Sequence, residues 1–158
     1  MAGVEVLVPR IGRGRRFEQP VALAFESERR LAAGLAGGLH GSIGYAQLSR
    51  TRACDPDLTF CRPLLGVTLG GTLRVNTPPD ARVVGWVGLG AGIIGAASWA
   101  RNVLGDYARA DAGVDLRFGR RQVRFAAGWV QAALTENQPE FEPGHQRYLA
   151  FTVAAWPL

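Results

Sequence analysis

Side-chain character alternates with a period of two in segment after segment of this chain. In Arg62–Asn76, Leu65, Val67, Leu69, Leu73 and Val75 share one parity. Arg62, Gly66, Thr68, Gly70, Thr72, Arg74 and Asn76 share the other. In Tyr107–Phe118, Ala108, Ala110, Ala112, Val114, Leu116 and Phe118 oppose Tyr107, Arg109, Asp111, Gly113, Asp115 and Arg117. A helix would mix these sets at every turn, whereas an extended strand sends them to opposite faces. The same separation runs through Val4–Val8, Glu18–Ser27, Leu31–Ser49, Val83–Ile93, Gln122–Leu134 and Arg147–Trp156, which makes eight strands in all.

The connections alternate in length. Short ones are expected at Ser27–Arg30, Asn76–Ala81 and Gly119–Arg121, and longer ones at Ile11–Phe17, Arg50–Cys61, Ala97–Asp106 and Thr135–Gln146. An even strand number with short turns at one end and long polar loops at the other is the organisation of an outer-membrane barrel. The expected fold is all-β: one domain over residues 1–158, an eight-stranded antiparallel up-and-down transmembrane β-barrel. Its turns would be periplasmic and its longer loops extracellular.

Sidedness follows from volume. Eight strands enclose an interior only just filled by side chains. One face of the pattern is large and aliphatic; the other is Gly, Ala and charge, with Trp86 as the exception. The aliphatic face is therefore assigned to lipid. Glu26, Arg74, Arg109, Asp111, Asp115, Arg117 and Arg124, together with Glu5, are assigned to the lumen. Charges held away from water need partners, so these residues are read as a structural ion-pair network.

Composition narrows the other readings. Leu31–Ser49 and Val83–Ala100 lack formal charge over about the length of a membrane helix. Each contains five Gly, however, and a Gly costs a helix about 1 kcal/mol relative to Ala. The net charge of +5 comes from 18 basic residues, all Arg, scattered apart from Arg10–Arg16. No aromatic platform accompanies that cluster, so nucleic acid is not an expected partner; outer-membrane lipid and lipopolysaccharide are. Cys54 and Cys61, with six residues between them that include Asp-Pro, read as a disulfide clipping a turn. His40 and His145 are too isolated to complete a zinc site, so no metal is expected. Met1-Ala2-Gly3 leads straight into Val4–Val8, as in a mature, processed chain.

Two motifs point to enzymes. Gly90-Ala91-Gly92-Ile93-Ile94-Gly95 is a literal G-x-G-x-x-G, with Asp115 twenty residues beyond Gly95. It resembles the dinucleotide-binding fingerprint and implies an FAD- or NAD-binding oxidoreductase as the alternative function. The segments that follow are amphipathic strands with charged faces, whereas parallel Rossmann strands are apolar on both sides. The glycines are therefore read as small lumen residues, and no cofactor is expected. His40-x-Ser42 resembles the His-x-Ser of lipid A deacylases, which implies Ser42 as nucleophile and His40 as base. The reading preferred for His40 is a hydrogen-bonded residue inside the barrel. A soluble lipocalin-like ligand-binding barrel is the remaining alternative.

By pattern, nearly the whole chain resembles the small eight-stranded outer-membrane barrels (OmpA- or OmpX-like, the outer membrane β-barrel domain) of Gram-negative bacteria. The last strand, Tyr148–Leu158, resembles their C-terminal assembly strand, although Pro157-Leu158 follows the aromatic Trp156. The resemblance implies insertion by the barrel-assembly machinery and residence in the cell outer membrane. It also implies a non-enzymatic role in envelope structure, adhesion or association with a protein partner, exerted through the long loops.

Overall fold

The structure is a computed structural model that describes residues 2–9, 16–49, 64–77, 82–97, 102–119, 121–136 and 144–157. It is all-β. The strands are β1 (Ala2–Pro9), β2 (Arg16–Ala32), β3 (Leu35–Ser49), β4 (Leu64–Asn76), β5 (Val83–Ala97), β6 (Asn102–Phe118), β7 (Arg121–Glu136) and β8 (Gly144–Pro157). Each pairs antiparallel with the next, and β8 returns to β1, so the sheet closes as a barrel. Closure leaves no sheet edge among these eight strands.

The closure is staggered. Stepping from Gly3 through Ala24, Ser42, Thr68, Ile94, Gly105 and Leu134 reaches Gly144. Gly3 itself pairs with Ala154, ten residues further on. With ordinary strand spacing this stagger tilts the strands roughly 40° from the barrel axis.

The two parities part as the sequence pattern requires. Among the described residues, twenty-five large apolar side chains are at least 40% exposed, and every strand contributes some of them. Leu23, Leu39, Val87 and Leu89 are 60% exposed or more. Glu5, Glu26, His40, Arg74, Arg109, Asp111, Asp115 and Arg124 are buried inside. A soluble ligand-binding barrel has the reverse arrangement, apolar in and polar out.

The structure corrects three expectations. The first short turn lies at Ala33–Gly34, not at Ser27–Arg30. The charged run 27–30 stays extended because β2 continues to pair with β3 through Arg30. Gly34 takes a φ of 76°, a left-handed turn conformation that costs Gly nothing, and its carbonyl accepts a hydrogen bond from Asn76 N–H at 2.7 Å. Second, much of Ala97–Asp106 is strand. β6 begins at Asn102, and the alternation continues with Val103 inward and Leu104 outward. Third, the lumen is not small and charged throughout: Leu7, Ile94, Val103, Val130 and Leu134 are buried in it. Cys54, Cys61, Trp99 and the Gly-Arg run 12–15 lie outside the described residues.

Candidate functional site: the barrel lumen

The lumen is divided along its length. Nearer the chain termini, Arg74 and Arg124 hold Glu26 and Glu28 between them. Arg74 donates from Nη2 to Glu26 Oε1 and from Nη1 to Glu28 Oε1, both at 2.7 Å. Arg124 donates from Nη1 to Glu26 Oε2 at 2.7 Å and from Nη2 to Glu28 Oε2 at 2.9 Å. Arg124 also makes a two-point fork to Asp115, with both contacts at 2.7 Å. Gln122 Nε2 donates to the same carboxylate at 2.7 Å. Trp86 lies against both guanidinium groups, whose Cζ atoms are 4.2 Å (Arg74) and 4.9 Å (Arg124) from its ring centroid. Its Nε1–H donates to Asp115 Oδ1 at 3.1 Å. Cation–π contact and a satisfied indole N–H explain why a large aromatic side chain sits among charges.

A second cluster is centred on Arg109. It forks to Asp111 at 2.7 and 3.0 Å and reaches Glu5 Oε2 at 3.0 Å. Thr152 Oγ1 donates to the same Glu5 oxygen at 3.3 Å. His40 joins the two clusters: Nδ1 is 3.3 Å from Glu26 Oε1, and Nε2 is 2.6 Å from Arg109 Nη1. With its proton on Nδ1, His40 donates to Glu26 and accepts from Arg109.

Glycines make room for this network. Across the ladders Arg74 faces Gly88, Trp86 faces Gly113, Arg109 faces Gly90 and Asp111 faces Gly128. A Cβ at Gly113 would come within 2.5 Å of the Trp86 ring, and one at Gly90 would meet Arg109 Cγ at 3.0 Å. This accounts for the first glycine of the G-x-G-x-x-G string; Gly92 faces Tyr107, and Gly95, expected in the lumen, shares the outward parity of Ile93 and pairs with exposed Leu104. Gly90, Gly92 and Gly95 all lie within the uninterrupted strand β5, with no strand-to-helix turn for a pyrophosphate to approach. Asp115 is engaged by Arg124, Gln122 and Trp86.

Beyond Arg109 the lumen turns to hydrocarbon. Leu7, Ile94, Ala96, Val103, Val130, Ala132 and Leu134 form one buried cluster with Tyr107, Tyr148 and Ala150. Tyr148 Oη donates to Gln146 Oε1. Tyr107 Oη, at the boundary of the two halves, is buried and has no hydrogen-bond partner among the described residues.

The structure thus gathers Glu26, Arg74, Asp115 and Arg124 in one cluster, and Glu5, Arg109 and Asp111 in the other. Arg117 is half-buried near the end of β6, where its N–H bonds Arg82 O at 2.9 Å. Sequence reasoning misses Glu28 because the charged run around it reads as a turn, although it shares the parity of Glu26. His40 and Ser42 are both 0% exposed. Ser42 Oγ lies 2.7 Å from Thr68 Oγ1, and both His40 nitrogens face charged partners. No group of three or more His, Cys, Asp or Glu suited to a metal ion occurs among the described residues. Chemically, the arrangement can seal and brace a barrel: carboxylates fixed by guanidinium forks at one level, close-packed hydrocarbon at the next.

Comparison with protein-family models gave no match, and comparison with curated proteins gave none either.

Proposed function

We propose that this chain is a non-enzymatic outer-membrane β-barrel protein with a closed lumen. It would act through its surface loops in envelope structure, adhesion or association with a protein partner. One observation carries the reading: a belt of exposed aliphatic side chains, contributed by every strand, surrounds a charged interior. Soluble monomers rarely expose apolar patches above a few hundred Å², whereas a membrane barrel needs such a belt. The staggered closure and the tilt that follows from it suit a spanning barrel. A closed lumen is favoured because two successive levels fill it, one with forked ion pairs and one with hydrocarbon. The antiparallel order sets the strand ends Pro9, Arg16, Ser49, Leu64, Ala97, Asn102, Glu136 and Gly144 together at the rim opposite the termini. The four connections there are the segments given to surface contacts, and lipid and lipopolysaccharide are the surroundings.

The test is refolding into detergent and into phospholipid vesicles. Unheated protein is expected to migrate apart from boiled protein on a gel, to resist protease in vesicles and to pass no steady current in a planar bilayer. A monomer that stays soluble without detergent would overturn the membrane reading. A steady ohmic conductance would overturn the closed lumen.

A further inference from the structure

We propose that the outer wall of β6–β8, at the edge of the belt nearer the rim opposite the termini, is a contact between two copies of this chain. Reciprocal Asp106–Arg147 ion pairs would join the copies about a twofold axis parallel to the barrel. The proposal rests on the membrane reading above and adds a partner to it.

The belt is interrupted in one sector. Asp106 on β6, Gln131 on β7 and Arg147 on β8 share the outward parity of Ala108, Trp129 and Leu149, and all three are exposed. The other strands meet this level with Val8, Val21, Tyr45, Val67 and Ile93, each exposed and aliphatic or aromatic. Neither Asp106 nor Arg147 has an ion-pair partner among the described residues. A carboxylate and a guanidinium set at the edge of hydrocarbon each call for a partner of opposite charge.

Register fixes their relative heights. Asp106 pairs with Ala133, and Ala133 with His145. With the strands tilted roughly 40°, those two steps climb about 6 Å towards the rim opposite the termini. Arg147 lies two residues back along β8, which lowers it by about 5 Å. Asp106 and Arg147 are therefore level to within about 1 Å and about 12 Å apart round the wall.

This placement selects the partner. Copies inserted in the same sense share a twofold axis along the membrane normal, which keeps height and exchanges left with right. With that axis midway between the two residues, Asp106 of each copy faces Arg147 of the other. Gln131 falls within about 2 Å of the axis, where its amide can both donate to and accept from its own counterpart. Below it, Ala108 and Ala110 keep the wall free of bulk, so that two backbones can approach closely. Trp129 stands about as far to one side of the axis as Ala91 does to the other, and nearly level with it, so bulk on one copy meets a small residue on the next. A lipid phosphate would satisfy Arg147 but be repelled by Asp106, whereas a second copy answers both charges.

The test is sedimentation equilibrium of the refolded full chain in micelles of an uncharged detergent at low salt, where the ion pairs are least screened. A monomer–dimer equilibrium is expected. Asp106→Arg and Arg147→Asp each set like charges against one another and should raise the dissociation constant about tenfold or more. The double exchange Asp106→Arg with Arg147→Asp restores opposite charges across the axis and should return the constant to within about threefold of the wild type. A strictly monomeric wild type, a dimer indifferent to the single substitutions, or a double exchange no better than either single one would overturn the proposal. So would a monomer that holds lipopolysaccharide through Arg147, read in native mass spectra as an adduct lost with Arg147→Asp. Gel migration of unheated protein separates the two readings. A folded barrel that stays monomeric defeats this proposal alone, and a chain that does not insert into vesicles defeats both.

Discussion

The two halves of the lumen are filled by opposite means within the same cylinder. Near the termini, Glu26, Glu28 and Asp115 are held by Arg74 and Arg124, and each contact has one geometry that satisfies it. Towards the other rim, Ile94, Val130, Leu134 and their neighbours fill the same cross-section with contacts that any well-shaped aliphatic could make. Both halves place buried side chains in the lumen, but they fail differently. Removing one member of a buried ion-pair network leaves its partners charged and unpaired, whereas removing hydrocarbon leaves a cavity. The first half joins named side chains of β2, β4, β6 and β7; the second contributes bulk packing.

The largest expected effect comes from Arg124→Met. It keeps most of the side-chain volume but takes the guanidinium fork from Asp115 and one of two arginines from Glu26 and Glu28, which keep Arg74. Urea unfolding of the barrel in micelles should show a loss of about 3–5 kcal/mol. A loss below that of a hydrocarbon truncation would erase the contrast between the halves. Next is Leu134→Ala in the apolar half, 1% exposed in the wild type. The same measurement should show about 2–4 kcal/mol, with the gel shift of the folded form retained. Smallest is Tyr107→Phe at the boundary. Its hydroxyl is buried with no hydrogen-bond partner among the described residues, so its removal should be neutral or stabilising by up to about 1 kcal/mol. A clear destabilisation there would mean that the polar half reaches further up the barrel than Arg109.

Much of the wall is legible in the amino-acid sequence, and the reason is local. Alternation places Arg74, Arg109, Asp115 and Arg124 on one face because successive Cβ atoms in a strand point to opposite sides. The apolar half is equally visible in parity, since Val130, Ala132 and Leu134 continue the inward set of Arg124. It departs from the expected lumen because the volume rule for eight strands favours small residues without saying at which height larger ones fit. Glu28 escapes for a different reason. Three charged residues in the run Ser27–Arg30 look like a solvated turn, and only pairing with β3 keeps them extended. Trp86 stands out as too large for its face, but nothing near it in sequence marks Gly113 as the residue that makes room.

A two-residue period is a property of neighbouring residues, so the chain's strands and the side to which each side chain points are written in its order of amino acids. Who meets whom is a property of the folded barrel. Arg109 reaches Glu5 across 104 residues and Arg124 reaches Glu26 across 98. Those meetings depend on the register of every ladder between them and on the ten-residue stagger with which β8 closes on β1. Parity carries no register: it places a charge in the lumen, while the height of that charge, and so its partner, is set by how the whole sheet wraps.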